Sequence, residues 1–511
     1  MSTQVQLVDA LSTEHLQADL KGRSVRGGLL TLTSQGAAFV FQSISTVVLA
    51  RLLTPVDFGL VAMVTAVTGL GQAFADFGLS EATIQRQEIS HEQVTALFWI
   101  NVGIGLALTL VMAALAPALA WFYREPRLNR IALLASLTFL IGGLRVQHNA
   151  LLRRQMRFVA IAIRDVASYA IAVPVAITLA WRGAGYWAIV ALPLTLNFTQ
   201  MALSWLMVRW IPGLPRRGTK VSSMVTFGIN VAASYLIIGV NRSADSVLNG
   251  WYWGAHLLGL YSRAYNLLML PVRQLSTPAG SVAVPTFSRL QNDADRFARY
   301  YLRVVNLMMW ITTPIFAFLF VAAQPVIVLV LGHQWGEAAP IFQILVFSAL
   351  GQLLFESVVW LFVSRGESGR LLKLLLVISP IIVGSFAIGL PFGIKGVALS
   401  GSLALVVIFP WVLRYAFRGT PLSLKRLGQS ILCPVGLALC GIVSAELALR
   451  LAPPQRLMPQ LLVAALGFAA AYLLSMLVRP VREEAIFLRK LFSELRLASQ
   501  TASSNLVVET K

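Results

Sequence analysis

The sequence predicts an all-α integral membrane protein of about fourteen transmembrane helices, and three observations carry that prediction. Hydrophobic residues make up 57% of the 511 residues and charged residues only 12%, against roughly 25% charged in a soluble protein. Apolar windows of about 20 residues, long enough to cross a bilayer, recur from Gly28 to Met476. The basic residues between those windows are also unevenly shared between the two sides. A transmembrane β-barrel would show alternating segments of about ten residues, and the sequence has none.

Breaks of Gly, Pro and charge divide the apolar runs into spans. Six spans occupy 28–50, 58–76, 94–120, 128–147, 158–181 and 186–208, the first half of a tandem plan. Eight follow at 222–248, 255–272, 303–323, 338–363, 370–390, 392–413, 427–449 and 458–478. Interior breakers such as Gly69, Pro174, Pro314 and Pro410 are tolerated in lipid, where neighbouring groups take up the freed backbone bonds. The expected organisation is a tail at 1–27, an N-lobe at 28–220, a C-lobe at 221–420, two further helices at 421–480 and a tail at 481–511.

The net charge is +20, from 41 Lys and Arg against 21 Asp and Glu. With both termini in the cytoplasm, and basic residues within three positions of a span end counted with the adjoining loop, cytoplasmic tails and loops hold 30 of the 41, outward loops eight, and spans three: Arg164, Arg242 and Arg263. That asymmetry follows the positive-inside rule. It argues against nucleic acid as a partner, because the charge lies in short loops rather than in one patch. The first 27 residues lack the basic-then-apolar order of a cleavable signal. Cys433 and Cys440 lie seven apart in one apolar segment, a spacing that suits neither a disulfide nor a metal site. The five His are scattered without metal spacing or a triad partner, and no Walker A motif is present. No cofactor and no metal are expected.

A repeat links the halves. VLARLLTPVDFGLV, Val48 to Val61, aligns without gaps on LNGWYWGAHLLGLY, Leu248 to Tyr261, placing Gly59 on Gly259 and Leu60 on Leu260. The equivalent spans are six apart, an even number, so both copies keep one orientation. That describes two parallel six-helix halves about an axis along the membrane normal.

Several stretches resemble a known family: ARLLTPVDFGLVAM at Ala50 to Met63, FADFGLSEATIQR at Phe74 to Arg86 and NRSADSVLNG at Asn241 to Gly250. LGLYSRAYNLLMLPV at Leu258, VPTFSRLQND at Val284 and LGHQWGEAAPIFQIL at Leu331 extend the likeness. The family is the Wzx-type lipopolysaccharide and exopolysaccharide flippases, within the multidrug/oligosaccharidyl-lipid/polysaccharide exporter superfamily. The resemblance implies two lobes around a central cavity with two extra C-terminal helices. It implies movement of undecaprenyl-diphosphate-linked oligosaccharide across the bacterial inner membrane by alternating access. Membrane lipids, a polysaccharide polymerase and export machinery are the implied partners, and no enzymatic activity is expected.

A diphosphate cannot cross hydrocarbon unaided, and the donor fork of a buried Arg suits it. Arg263 lies roughly 12 Å into its span at about 1.5 Å per residue, as a diphosphate ligand or as a brace for a neighbouring helix. Arg242 and Asp245 stand three apart on one helix face, where they can pair with each other or line the cavity. Arg164 either meets substrate or snorkels to the surface, with Asp165 beside it. Glu356, Asp165 and Asp76 are the coupling or gating candidates, since a buried carboxyl can carry a proton. Glu446 has Arg450 four residues on and reads as a structural pair. Trp251, Tyr252 and Trp253 serve either as interfacial anchors or as a sugar platform.

Two rivals remain. An ion-coupled drug or cation extruder of the same superfamily would favour acidic cavity residues over three arginines. A membrane-bound polymerase or glycosyltransferase would need a large outer loop, whereas every outward loop here is short.

Overall fold

The computed structural model describes residues 20–75, 89–215, 222–451 and 457–477, with positions 80, 83–84, 481–483 and 486. Asp76 lies outside the described residues, as does the side chain of Arg242. Every described regular element is helical.

Helix α1 (Leu20–Leu52) is followed by α2 (Pro55–Ala75), α3 (His91–Phe122), α4 (Arg127–Arg154), α5 (Phe158–Trp181) and α6 (Tyr186–Val208). Next come α7 (Ser222–Arg289), α8 (Ala294–Val321), the short α9 (Ala323–Leu331) and a 3-10 turn at His333–Trp335. Then α10 (Ala338–Ser364), α11 (Ser368–Gly389), α12 (Gly393–Phe417), α13 (Leu424–Leu451) and α14 (Leu457–Ser475) complete the chain. Each of the fourteen expected spans coincides with one of these helices or, for the seventh and eighth, with one part of α7. Nine helical stretches among the described residues are long and apolar enough to cross a membrane, and one of them, 368–417, takes in both α11 and α12.

The helix ends follow local chemistry. Pro55 opens α2, a position where its missing N–H is not needed. Ser90 caps α3 by accepting from the Gln93 amide, while the Gln93 side chain returns to the Ser90 amide, a reciprocal capping box. Asp293 accepts from the Arg296 amide at 3.0 Å and starts α8.

Two features of α7 depart from expectation. The turn expected between its two spans shrinks to a single non-helical residue, Gly254, with φ 77° and ψ −175°. Such a conformation is open to glycine and costly for other residues. The second span also continues as helix to Arg289, well past the expected end at 272. Pro271, Pro278 and Pro285 lie inside the helix. They recur every seven residues, so they stand almost one above another on one side.

The chain divides into two compact units. One comprises 1–267, 330–341 and 369–405; the other comprises 268–329, 342–368 and 406–511. In the first, α3 packs along α4, α5 along α6 and α1, and α6 along α4. Its core joins Leu60, Met63, Met112, Ile131, Phe139 and Leu258. In the second, α13 packs on α8 and α14, and Cys433 lies against the Trp310 and Leu437 cluster.

Candidate functional site

Four of the stretches singled out in the sequence meet in the first unit. At the end of α1, the carbonyl of Ala50 accepts from the Trp335 indole at 2.8 Å and from the Gln334 amide at 2.7 Å. Gln334 also donates to the Leu53 carbonyl. The LGHQW segment therefore satisfies carbonyls that the end of a helix leaves unpaired. Trp335, fully buried, meets the edge of Phe58 with ring centres 5.4 Å apart. Phe58 in turn lies under the guanidinium of Arg263, 3.8 Å from its ring centre. A cation over an aromatic face is held by the ring quadrupole.

That stack holds Arg263 in place without satisfying it. Its Nε is buried with no hydrogen-bond partner. Among the described residues, the ring of Phe58 is the only polar or aromatic contact of the guanidinium. A buried donor left unmade is costly, about 1–3 kcal/mol, and such groups mark sites where a ligand or water completes the bonding.

The repeat sharpens this reading. A Cβ on Gly59 would land on the backbone carbonyl of Ala255, and a Cβ on Gly259 would land on that of Pro55. Residues 55 and 255 are aligned by the same offset of 200 that aligns 59 with 259. The two copies therefore touch through a reciprocal contact, each glycine receiving the other copy's backbone. At that offset Arg263 corresponds to Met63 and Phe58 to Leu258, and Met63 and Leu258 lie together in the buried core. Of these two cross-copy pairs, one is apolar and the other is a cation on a ring. Packing alone does not require the arginine.

Asp245 is nearby on α7 and 6% exposed. Its carboxylate accepts from the Tyr261 hydroxyl at 2.8 Å and from the Ser246 amide at 2.6 Å. Tyr261 lies beyond Gly254, so this bond ties the two parts of α7 together. Tyr261, Phe58 and Trp335 were not among the expected site residues, although each sits in one of the quoted stretches.

Arg164 does not snorkel. It is 6% exposed and donates to Asp165 at 2.7 and 2.9 Å and to Asn149 at 2.8 Å. A weaker bond reaches the Ser204 hydroxyl at 3.4 Å. Gln200 donates to Asp165 and accepts from Arg145. Arg164 and Asp165 thus join α4, α5 and α6.

The other candidates lie elsewhere. Glu356 on α10 is half-buried and accepts from Gln352 at 3.2 Å, one turn before it. Glu446 and Arg450 are both exposed on α13, and no ion pair joins them. The Trp253 indole donates to the Leu390 carbonyl at 3.2 Å, while Trp251 stacks on Phe122 with ring centres 6.1 Å apart.

Residues 48–340 match the profile of a family described as polysaccharide biosynthesis protein. The lipopolysaccharide biosynthesis protein WzxC of Escherichia coli strain K12 is 25% identical over 392 residues, covering 74% of this chain and 79% of that protein. The succinoglycan biosynthesis transport protein ExoT of Rhizobium meliloti is 24% identical over 320 residues, covering 62% and 64%. The solved structure of the lipid II flippase MurJ in an inward closed conformation superposes with a TM-score of 0.71 at 13% identity. That match covers 92% of this chain and all of the MurJ chain, and it shares the fold.

Proposed function

This chain belongs to the polysaccharide biosynthesis protein family, and on that premise we propose that it is a flippase for lipid-linked oligosaccharide. The substrate is an undecaprenyl-diphosphate-linked repeat unit, moved across the bacterial inner membrane for assembly of a surface polysaccharide. Both termini lie in the cytoplasm, as the basic asymmetry favours, and the chain transports without performing bond chemistry. A polymerase and export machinery act on what it delivers.

One observation carries this reading: Arg263, stacked on Phe58, offers donors that no described residue accepts. A diphosphate supplies the missing acceptors, and its charge-assisted bonds to a guanidinium are stronger than neutral ones. The sugars travel with the diphosphate, while the polyprenyl tail stays in lipid. Alternating access moves the site between leaflets. The reciprocal glycine contact is suited to gating, because a backbone-to-backbone seam closes tightly and holds few side chains to rearrange.

A cation extruder would need an available carboxylate at this place. Asp245, a carboxylate on α7 in the part across Gly254 from Arg263's own segment, already accepts from Tyr261 and Ser246.

The test is a clean deletion in a strain without a second flippase gene, complemented by wild type or by Arg263→Met. The deletion is expected to abolish one surface polysaccharide and to leave lipid-linked repeat units on the inner leaflet. Wild type should restore the polymer, and Arg263→Met, present in the membrane at equal level, should not. Normal polysaccharide in the deletion overturns the function; full rescue by Arg263→Met removes Arg263 from it.

A further inference from the structure

Between the last turns of α7 and the first turns of α8, within the second unit, lies a cleft of about 570 Å³. Its two walls differ in chemistry. Arg296, Arg299 and Arg303 stand on α8 at i, i+3 and i+7, so they form one stripe. Phe297, Ala298 and Tyr301, on the opposite side of the same turns, are buried, which fixes the basic stripe outward. Tyr300 lines the cleft among the arginines and is 43% exposed.

The α7 wall is apolar. Leu290 and Thr286 line it, and Val282, one turn further back, is 63% exposed. The Thr286 hydroxyl bonds back to the Val282 carbonyl at 2.7 Å, so it presents little more than its methyl group. No carboxylate lines the cleft among the described residues. Asp293 reaches only Arg296, at 3.7 Å, with both side chains largely exposed, and an ion pair of that kind contributes little.

Arg296 and Arg299, with Arg303 beside them holding a partner of its own, face an apolar strip and complement a molecule with one anionic phosphate and a hydrocarbon chain. We propose that this cleft binds the headgroup of an anionic phospholipid, the phosphate on the arginines and an acyl chain along Val282, Thr286 and Leu290. Arginine forks suit phosphate oxygens. A water-soluble phosphate would leave the apolar strip bare, so the lipid is the better match. The proposed orientation puts this end of α7 at the cytoplasmic leaflet; only the choice of leaflet rests on that orientation.

The experiment uses the full chain purified in detergent and counts bound lipid by native mass spectrometry. Titrations are made with phosphatidylglycerol, phosphatidylcholine, undecaprenyl diphosphate and inorganic pyrophosphate. Phosphatidylglycerol is expected to bind and phosphatidylcholine not to. Each basic residue at an anionic surface contributes about fivefold in affinity, so Arg299→Gln with Arg303→Gln should weaken binding about 25-fold. Lys425→Gln with Arg426→Gln removes the same charge from exposed positions on α13 and should leave binding within about twofold. Equal losses from the two double variants would mean diffuse attraction and overturn the site. Equal binding of the two phospholipids would overturn it too. Undecaprenyl diphosphate or pyrophosphate binding through Arg299 and Arg303 without phosphatidylglycerol would reassign the cleft. If the double glutamine variant aggregates, Arg299→Gln alone is read, with about a fivefold loss expected. Transport is not measured, so the outcome is independent of the role given to Arg263.

Discussion

Arg263 rests its guanidinium 3.8 Å above the ring centre of Phe58, while the positions that the repeat makes equivalent to them hold Met63 and Leu258. At this pair of positions the repeat exchanges an apolar contact for a charged one. The difference between a structural and a binding role can therefore be measured with the residue that the protein itself uses at the equivalent position.

Arg263→Met should leave folding close to wild type, since methionine suits the equivalent environment and removes an unsatisfied buried donor. Transport should fall about 10- to 100-fold, the loss of charge-assisted bonds worth about 1.5–3 kcal/mol. Thermal unfolding in detergent and appearance of surface polysaccharide read the two quantities separately. A transport-competent variant that unfolds early would make Arg263 a brace.

Gly59→Ala and Gly259→Ala should harm the protein to a similar degree. Each inserts a methyl group into the backbone of the other copy, and overpacking of that kind costs about 1–3 kcal/mol. Melting temperatures of the two variants test the reciprocity. A large loss in one and none in the other would show that the two contacts are not equivalent in energy.

Tyr261→Phe should destabilise the fold by about 1–3 kcal/mol, because it leaves the Asp245 carboxylate short of a donor in a buried place. For the same reason, exchanging the charges of Arg242 and Asp245 should fail to restore function. An arginine at 245 would face a phenol hydroxyl instead of supplying an acceptor to it. Recovery of transport in the double exchange, with normal membrane expression, would make the pair self-sufficient.

Arg164→Ala should lower the amount of protein in the membrane, because Asp165 would lose its main partner. Removing one member of a buried ion pair costs about 3–5 kcal/mol. Arg164→Lys should recover part of that amount, and the protein that does accumulate should transport normally. Accumulation at wild-type level without transport would move Arg164 into the substrate path.

Reporters fused after Arg217 and after Arg418 should report cytoplasm, and one after Trp253 the outer side. Thirty of 41 basic residues on the first side motivate this assignment. An outer signal at Arg217 would reverse the orientation.

The helices were legible because lipid demands long apolar runs, and each of the fourteen expected spans has one. The far end of α7 was not legible. Pro278 and Pro285 punctuate soluble chains, whereas here they lie within a helix. The site was half legible. Arg263 stood out as a charge too deep to be a loop, but Phe58 and Trp335 looked like ordinary apolar residues of a span and a loop. Pairing Asp245 with Arg242 followed from spacing along one helix. The side chain of Arg242 lies outside the described residues; Asp245 also accepts from Tyr261, 16 residues on across a break at Gly254 that brings it back alongside, and spacing alone cannot show such a fold. The notion of Arg164 as a surface-seeking side chain failed for a related reason: Asn149 and Ser204 come from other helices.

Pro271, Pro278 and Pro285 give the second part of α7 a grain. Each removes one backbone bond and crowds the carbonyl four residues earlier, at Leu267, Gln274 and Ser281. Because these weakened places align along one side, the helix is compliant in a single plane and stiff across it, like a ruler rather than a rod.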